Sequence, residues 1–98
     1  MRNVDVVISQ KDLEITEVNG IPFTPVLKLI YFYIVSQKNA EGFTCISQEN
    51  IRYTLGITRP SVWKHIKTLV NMGLLTKEGN KNSILEYKAL PLKRGGYE

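Results

Sequence analysis

The chain has 98 residues and a mass of 11.2 kDa, one domain at the small end of the usual range with no room for a catalytic domain beside a regulatory one. An apolar fraction of 43% with 22% charged residues is that of a folded globular protein, and 13 basic residues against 9 acidic give +4. The single cysteine, Cys45, excludes an internal disulfide, and with one histidine it leaves no usual zinc ligand set, so neither metal nor cofactor is expected.

The charge is unevenly spread. Residues 1–49 carry four basic and six acidic side chains, a net of −2, and residues 50–98 carry nine and three, a net of +6. A basic second half suits a polyanion. The longest apolar run, Leu29 to Val35, is too short to cross a bilayer. Met1-Arg2-Asn3-Val4-Asp5 lacks the pattern of a secretory leader, so a cytoplasmic location without membrane contact is expected.

Val4 to Ile8 is β-branched, and Leu13, Ile15 and Val18 continue a partly alternating pattern up to an Asn19-Gly20 turn. Residues 4–23 are therefore predicted extended or hairpin-like, with a short helix over 10–18 as the competing possibility. Thr24 and Pro25 open a helix as cap and first residue. Leu27, Ile30, Tyr31, Ile34 and Val35 recur at helical spacing until about Lys38-Asn39. Phe43 to Ile46 is a short extended segment, where Cys45 is expected to be a small buried residue. Ser47 then caps a helix over Gln48 to Leu55, and Gly56 ends it in the left-handed region. Thr58 caps the next helix, Pro60 lies in its first turn, and Gly73 stops it after about Met72. Leu74 to Glu78 and Ser83 to Lys88 make a hairpin around the polar turn Gly79-Asn80-Lys81-Asn82. Pro91 to Glu98 is expected to be a frayed tail.

Two short helices joined by Leu55-Gly56-Ile57-Thr58 are a helix-turn-helix arrangement, and the hairpin that follows would stand beside it as a wing. The string Ile46-Ser47-Gln48-Glu49-Asn50-Ile51-Arg52-Tyr53-Thr54-Leu55-Gly56-Ile57-Thr58-Arg59-Pro60-Ser61-Val62, with His65 to Leu75 after it, resembles the winged helix-turn-helix family of bacterial, phage and plasmid DNA-binding proteins. The resemblance runs from Thr24 to about Leu90, some two-thirds of the chain. It implies an α+β fold with a three-helix core and a C-terminal β-hairpin wing. It also implies a division into an N-terminal extended or dimerisation segment (1–23), the winged helix-turn-helix domain (24–90) and a flexible tail (91–98).

In that family the second helix of the motif enters the major groove of double-stranded DNA. By position this puts Thr58, Arg59, Pro60, Ser61 and Lys64 first at the bases, with Lys67 and Thr68 further along. A helical wheel points the same way. Val62, Ile66 and Leu69 define the core side, and Lys64, Lys67, Thr68 and Asn71 fall opposite, with Pro60 and Ser61. Lysine and arginine suit guanine acceptors, Ser and Thr suit base or phosphate, and Pro suits a thymine methyl. Lys77, Asn80, Lys81 and Asn82 of the wing suit phosphate or minor-groove contact, and Arg52 and Tyr53 the backbone beside the groove. A lysine-rich helix face standing alone is ordinarily a solvated face; its place on the second helix of this motif is what favours DNA. Trp63 is expected to pack on the wing or a partner chain, and His65 to be a surface packing residue.

There is no second histidine, no Ser–His–carboxylate order, no glycine-rich phosphate loop and no carboxylate cluster, so an enzyme is not expected. The expectation is a homodimeric transcriptional repressor, acting by occlusion. Its dimer contact would use the aromatic-rich first long helix (Tyr31, Phe32, Tyr33) and residues 1–23. The rival expectations are a plasmid or phage adaptor for segregation or replication, which would coat repeats and recruit a protein partner, and a winged helix used only for protein interaction.

Overall fold

In a computed structural model, residues 5–38, 40, 42–81 and 84–89 are described, the backbone alone for 78–81 and 84–86. Its elements are α1 (Gln10–Leu13), β1 (Glu17–Val18), β2 (Ile21–Pro22), α2 (Pro25–Ser36), β3 (Phe43–Ser47), α3 (Gln48–Leu55), α4 (Arg59–Asn71), β4 (Leu75–Lys81) and β5 (Ile84–Ala89). The fold is a compact α+β arrangement of these four helices with two small antiparallel sheets.

The first sheet is only the β1–β2 hairpin around Asn19-Gly20, with Asn19 itself in the left-handed region at φ 51°. Ahead of it the extended expectation fails over residues 10–13, which form one helical turn. The local cause is a cap: the Ser9 hydroxyl accepts from the Asp12 amide at 3.1 Å.

Helix α2 begins as expected, with Thr24 accepting from the Leu27 amide, but it closes at Ser36, two residues early. The Ile34 carbonyl accepts from the Gln37 amide at 3.1 Å in that last turn, and the buried Thr44 hydroxyl donates to it as well, at 2.7 Å. Ile30, Tyr31, Phe32, Tyr33 and Ile34 are all buried, so α2 is covered all round through its third turn. Phe23 meets Tyr31 edge-on, Tyr31 meets Phe32 edge-on at 5.0 Å, and the Tyr33 hydroxyl lies 3.4 Å from that of Thr54 on α3. The aromatic surplus expected to face a second copy is therefore consumed inside one chain. Leu29 is the large apolar residue of α2 left outside, at 48% exposure.

The second sheet has the order β3-β5-β4. Strand β3 alternates, with Thr44 and Ile46 inward and Cys45 outward, so Cys45 is exposed and the expectation of a buried cysteine is wrong. Central in the sheet, Tyr87 of β5 pairs with Thr44 on one side and Lys77 on the other, and is fully buried. The β4–β5 hairpin is longer than predicted. Lys77 pairs with Tyr87 and Gly79 with Glu86, so Glu78 is the extra residue of a bulge, and pairing continues to Lys81 opposite Ile84. Gly79, Asn80 and Lys81 are thus strand rather than turn. Residues 82, 83 and 90, and the predicted tail 91–98, lie outside the described residues.

Candidate nucleic-acid interface

Helices α3 and α4 form where local chemistry permits. The Ser47 hydroxyl accepts from the Asn50 amide at 3.1 Å, and α3 runs to Leu55. Gly56 then takes φ 70°, and the Gly56 and Ile57 amides both donate to the Arg52 carbonyl, at 2.9 and 3.2 Å. Any Cβ would be strained in that left-handed closure. Two residues later the Thr58 hydroxyl accepts from the Ser61 amide at 3.3 Å and starts α4. Val62, Ile66 and Leu69 are buried as predicted, with Met72 extending the stripe to the last turn. Each such side chain contributes roughly 1.5–3 kcal/mol of burial, which fixes the rotation of α4 and therefore what it shows to solvent.

On the outward side Pro60, Lys64, Lys67 and Asn71 are exposed, and α4 contains no acidic residue. Neither Lys64 nor Lys67 makes a hydrogen bond or ion pair with its side chain among the described residues. The hydroxyls expected beside them are occupied within the helix. Thr58 serves as the cap, Thr68 donates to the Lys64 carbonyl at 3.0 Å, and Ser61 Oγ lies 3.2 Å from His65 Nδ1. Ser61 and Thr68 are also half-buried. His65 Nδ1 is 2.6 Å from the Ser61 carbonyl oxygen, a packing role as expected.

Arg52 and Arg59 are not free cations. Arg52 donates from Nε and Nη2 to one oxygen of Glu49, at 3.2 and 3.0 Å, and Arg59 donates to the other oxygen. Hydrogen bonds from Arg52 and then Arg59 hold the Glu49 carboxyl below its ordinary pKa, and the Glu49 bond in turn raises that of Arg52. The Arg52 guanidinium also lies 4.3 Å from the centre of the Tyr53 ring, which is 73% exposed. At the opposite flank of α4, Lys77 of β4 places its ammonium 5.6 Å from the centre of the Trp63 ring, itself half exposed. Trp63 therefore does meet the hairpin. Asn80 and Lys81 stand on the same strand as Lys77, and their side chains lie outside the described residues.

Sequence reasoning missed Glu49. The spacing to Arg52 is a visible helix pair, but the bond to Arg59 depends on how the turn folds α4 back. The structure brings Arg52 and Arg59 together through that carboxylate, and sets Lys64 and Lys67 along one exposed face.

Among the described residues no group of His, Cys, Asp and Glu could hold a metal ion, and no helix is long and apolar enough to cross a membrane. In comparisons with protein-family models, with curated proteins and with solved structures, nothing matches this chain.

Proposed function

We propose that this chain is a winged-helix protein that binds double-stranded DNA sequence-specifically, with α4 entering the major groove and β4–β5 as the wing. One observation carries it. The second helix of a tight helix–turn–helix exposes two uncommitted lysines, has no carboxylate anywhere along it, and is followed directly by an antiparallel hairpin bearing further lysines. A helix of this kind fits the major groove, where lysine meets guanine acceptors or flanking phosphate. Exposed Pro60 suits a thymine methyl, and Lys77 and Lys81 suit the backbone.

The role proposed for it is repression in the cytoplasm, by occlusion, since a domain seated in the major groove blocks the duplex it covers. Two-fold pairing on an inverted site stays in the proposal because one such domain covers few base pairs; it does not rest on the α2 aromatics.

The test is a titration of a selected duplex and of random-sequence duplexes across a salt series, comparing wild type with the Lys64→Ala/Lys67→Ala variant. The logarithm of affinity should fall linearly with the logarithm of salt for wild type, and the variant should lose more affinity for the selected duplex than for the random ones. Identical curves, or no duplex binding by wild type, would refute the assignment of α4.

A further inference from the structure

The Glu49 carboxylate holds two guanidiniums at once. It sits in the first turn of α3, takes the Arg52 fork on one oxygen and Arg59 on the other, and so joins α3 to the first residue of α4. Guanidinium groups pair with carboxylate and phosphate through the same geometry. Arg59 keeps 69% of its side chain exposed while so held, and Arg52 31%. The pair is thus within reach of solvent and of any polyanion lying across the start of α4, yet its charge is already half answered.

Resting on the DNA-binding reading, we propose that Glu49 is a specificity-determining residue, an internal phosphate mimic that withholds Arg52 and Arg59 from the backbone of DNA of arbitrary sequence. Two effects work together. The carboxylate competes for both guanidiniums, and its own charge repels phosphates brought close to α4. Lys64 and Lys67, with no such partner among the described residues, are left as the uncommitted cations of the helix.

Random-sequence duplexes test this with wild type, Glu49→Gln, Arg59→Ala and the Glu49→Gln/Arg59→Ala double variant, each first checked for an unchanged melting transition. Glu49→Gln should tighten binding at low salt by roughly two- to fivefold, the scale of an exposed charge contact. It should also steepen the log–log salt slope by about 0.9 for each guanidinium released to a phosphate. Arg59→Ala should remove a large part of that gain, which a merely structural role for Glu49 would not predict. Glu49→Gln curves equal to wild type would overturn the proposal and leave DNA binding standing. Weaker binding by Glu49→Gln would overturn it too, by making Glu49 a support for contact. No duplex binding by any of the proteins would overturn the DNA-binding reading itself, and this inference with it.

Discussion

Phe23, Tyr31, Phe32 and Tyr33 are buried in the first half of the molecule, whereas Tyr53 and Trp63 in the second half are 73% and 50% exposed, each with a cation against its ring. The contrast is one of neighbours more than of residue type. The front half spends its aromatics around α2, where Phe23 meets Tyr31, Tyr31 meets Phe32 and the Tyr33 hydroxyl reaches Thr54. The back half fixes α3 and α4 with aliphatic residues, Ile51, Val62, Ile66 and Leu69, and buries Tyr87 in the sheet, while the rings carried by α3 and α4, Tyr53 and Trp63, stay at the surface beside arginine and lysine. A ring under a cation restricts where that cation can go, at a scale of about 0.5–1 kcal/mol in exposed sites. The front is built for stability, and the back holds charges in place.

The largest expected effect tests the front. Tyr31→Ala should cost about 3–5 kcal/mol in denaturant unfolding, as for other large aromatic truncations in cores, with a midpoint independent of protein concentration. A midpoint that rises with concentration would return these aromatics to a contact between copies.

The back should behave in the opposite way. Lys64→Ala should leave unfolding within about 0.5 kcal/mol of wild type and remove about 1–3 kcal/mol of discrimination between the preferred duplex and others. Lys81→Ala should instead weaken all duplexes alike and reduce the salt slope by about 0.9. Equal behaviour of the two variants would break the division between a reading helix and a backbone-contacting hairpin.

Tyr87 sharpens the same comparison through pH. Its buried hydroxyl has no hydrogen-bond partner among the described residues, and burial pushes its pKa up to about 12; Gln48 pulls weakly the other way without reaching bonding geometry. A raised acid pKa means that the folded state keeps a proton the unfolded chain gives up, so stability falls as pH rises from 10 to about 12. Tyr87→Phe should remove up to about 1.4 kcal/mol per pH unit of that decline, read as the difference between the two unfolding curves.

The smallest effect lies at the seam between the halves. Asn19 Nδ2 donates to the Met72 carbonyl at the end of α4, and a Cβ on Gly73 would come within 3.2 Å of it. Asn19→Ala should cost about 1 kcal/mol and lower duplex affinity only slightly, measured by melting and titration together.

Legibility followed the range of the forces. The bounds of α3, the left-handed Gly56, the Thr58 cap and the buried stripe of α4 were all readable, because each depends on neighbours within four residues. Failures came where a distant partner decides. Cys45 turned outward because Thr44 had to reach Ile34, and Gly79 to Lys81 became strand because a bulge at Glu78 restored pairing with β5. The aromatics of α2 found their cover in residues as far away as Phe23 and Thr54. Within the candidate site the exposed lysines were readable from periodicity. The capture of Arg59 by Glu49 was not, because it spans the turn.

Whether α4 reads duplex DNA is decided by selecting bound fragments from a random duplex library near physiological salt and footprinting the product. One inverted site should be enriched, with protection centred on the major groove, and Lys64→Ala should weaken that enrichment by the loss of discrimination given above. A library that emerges unenriched, with no protected groove, would contradict a reading role for α4.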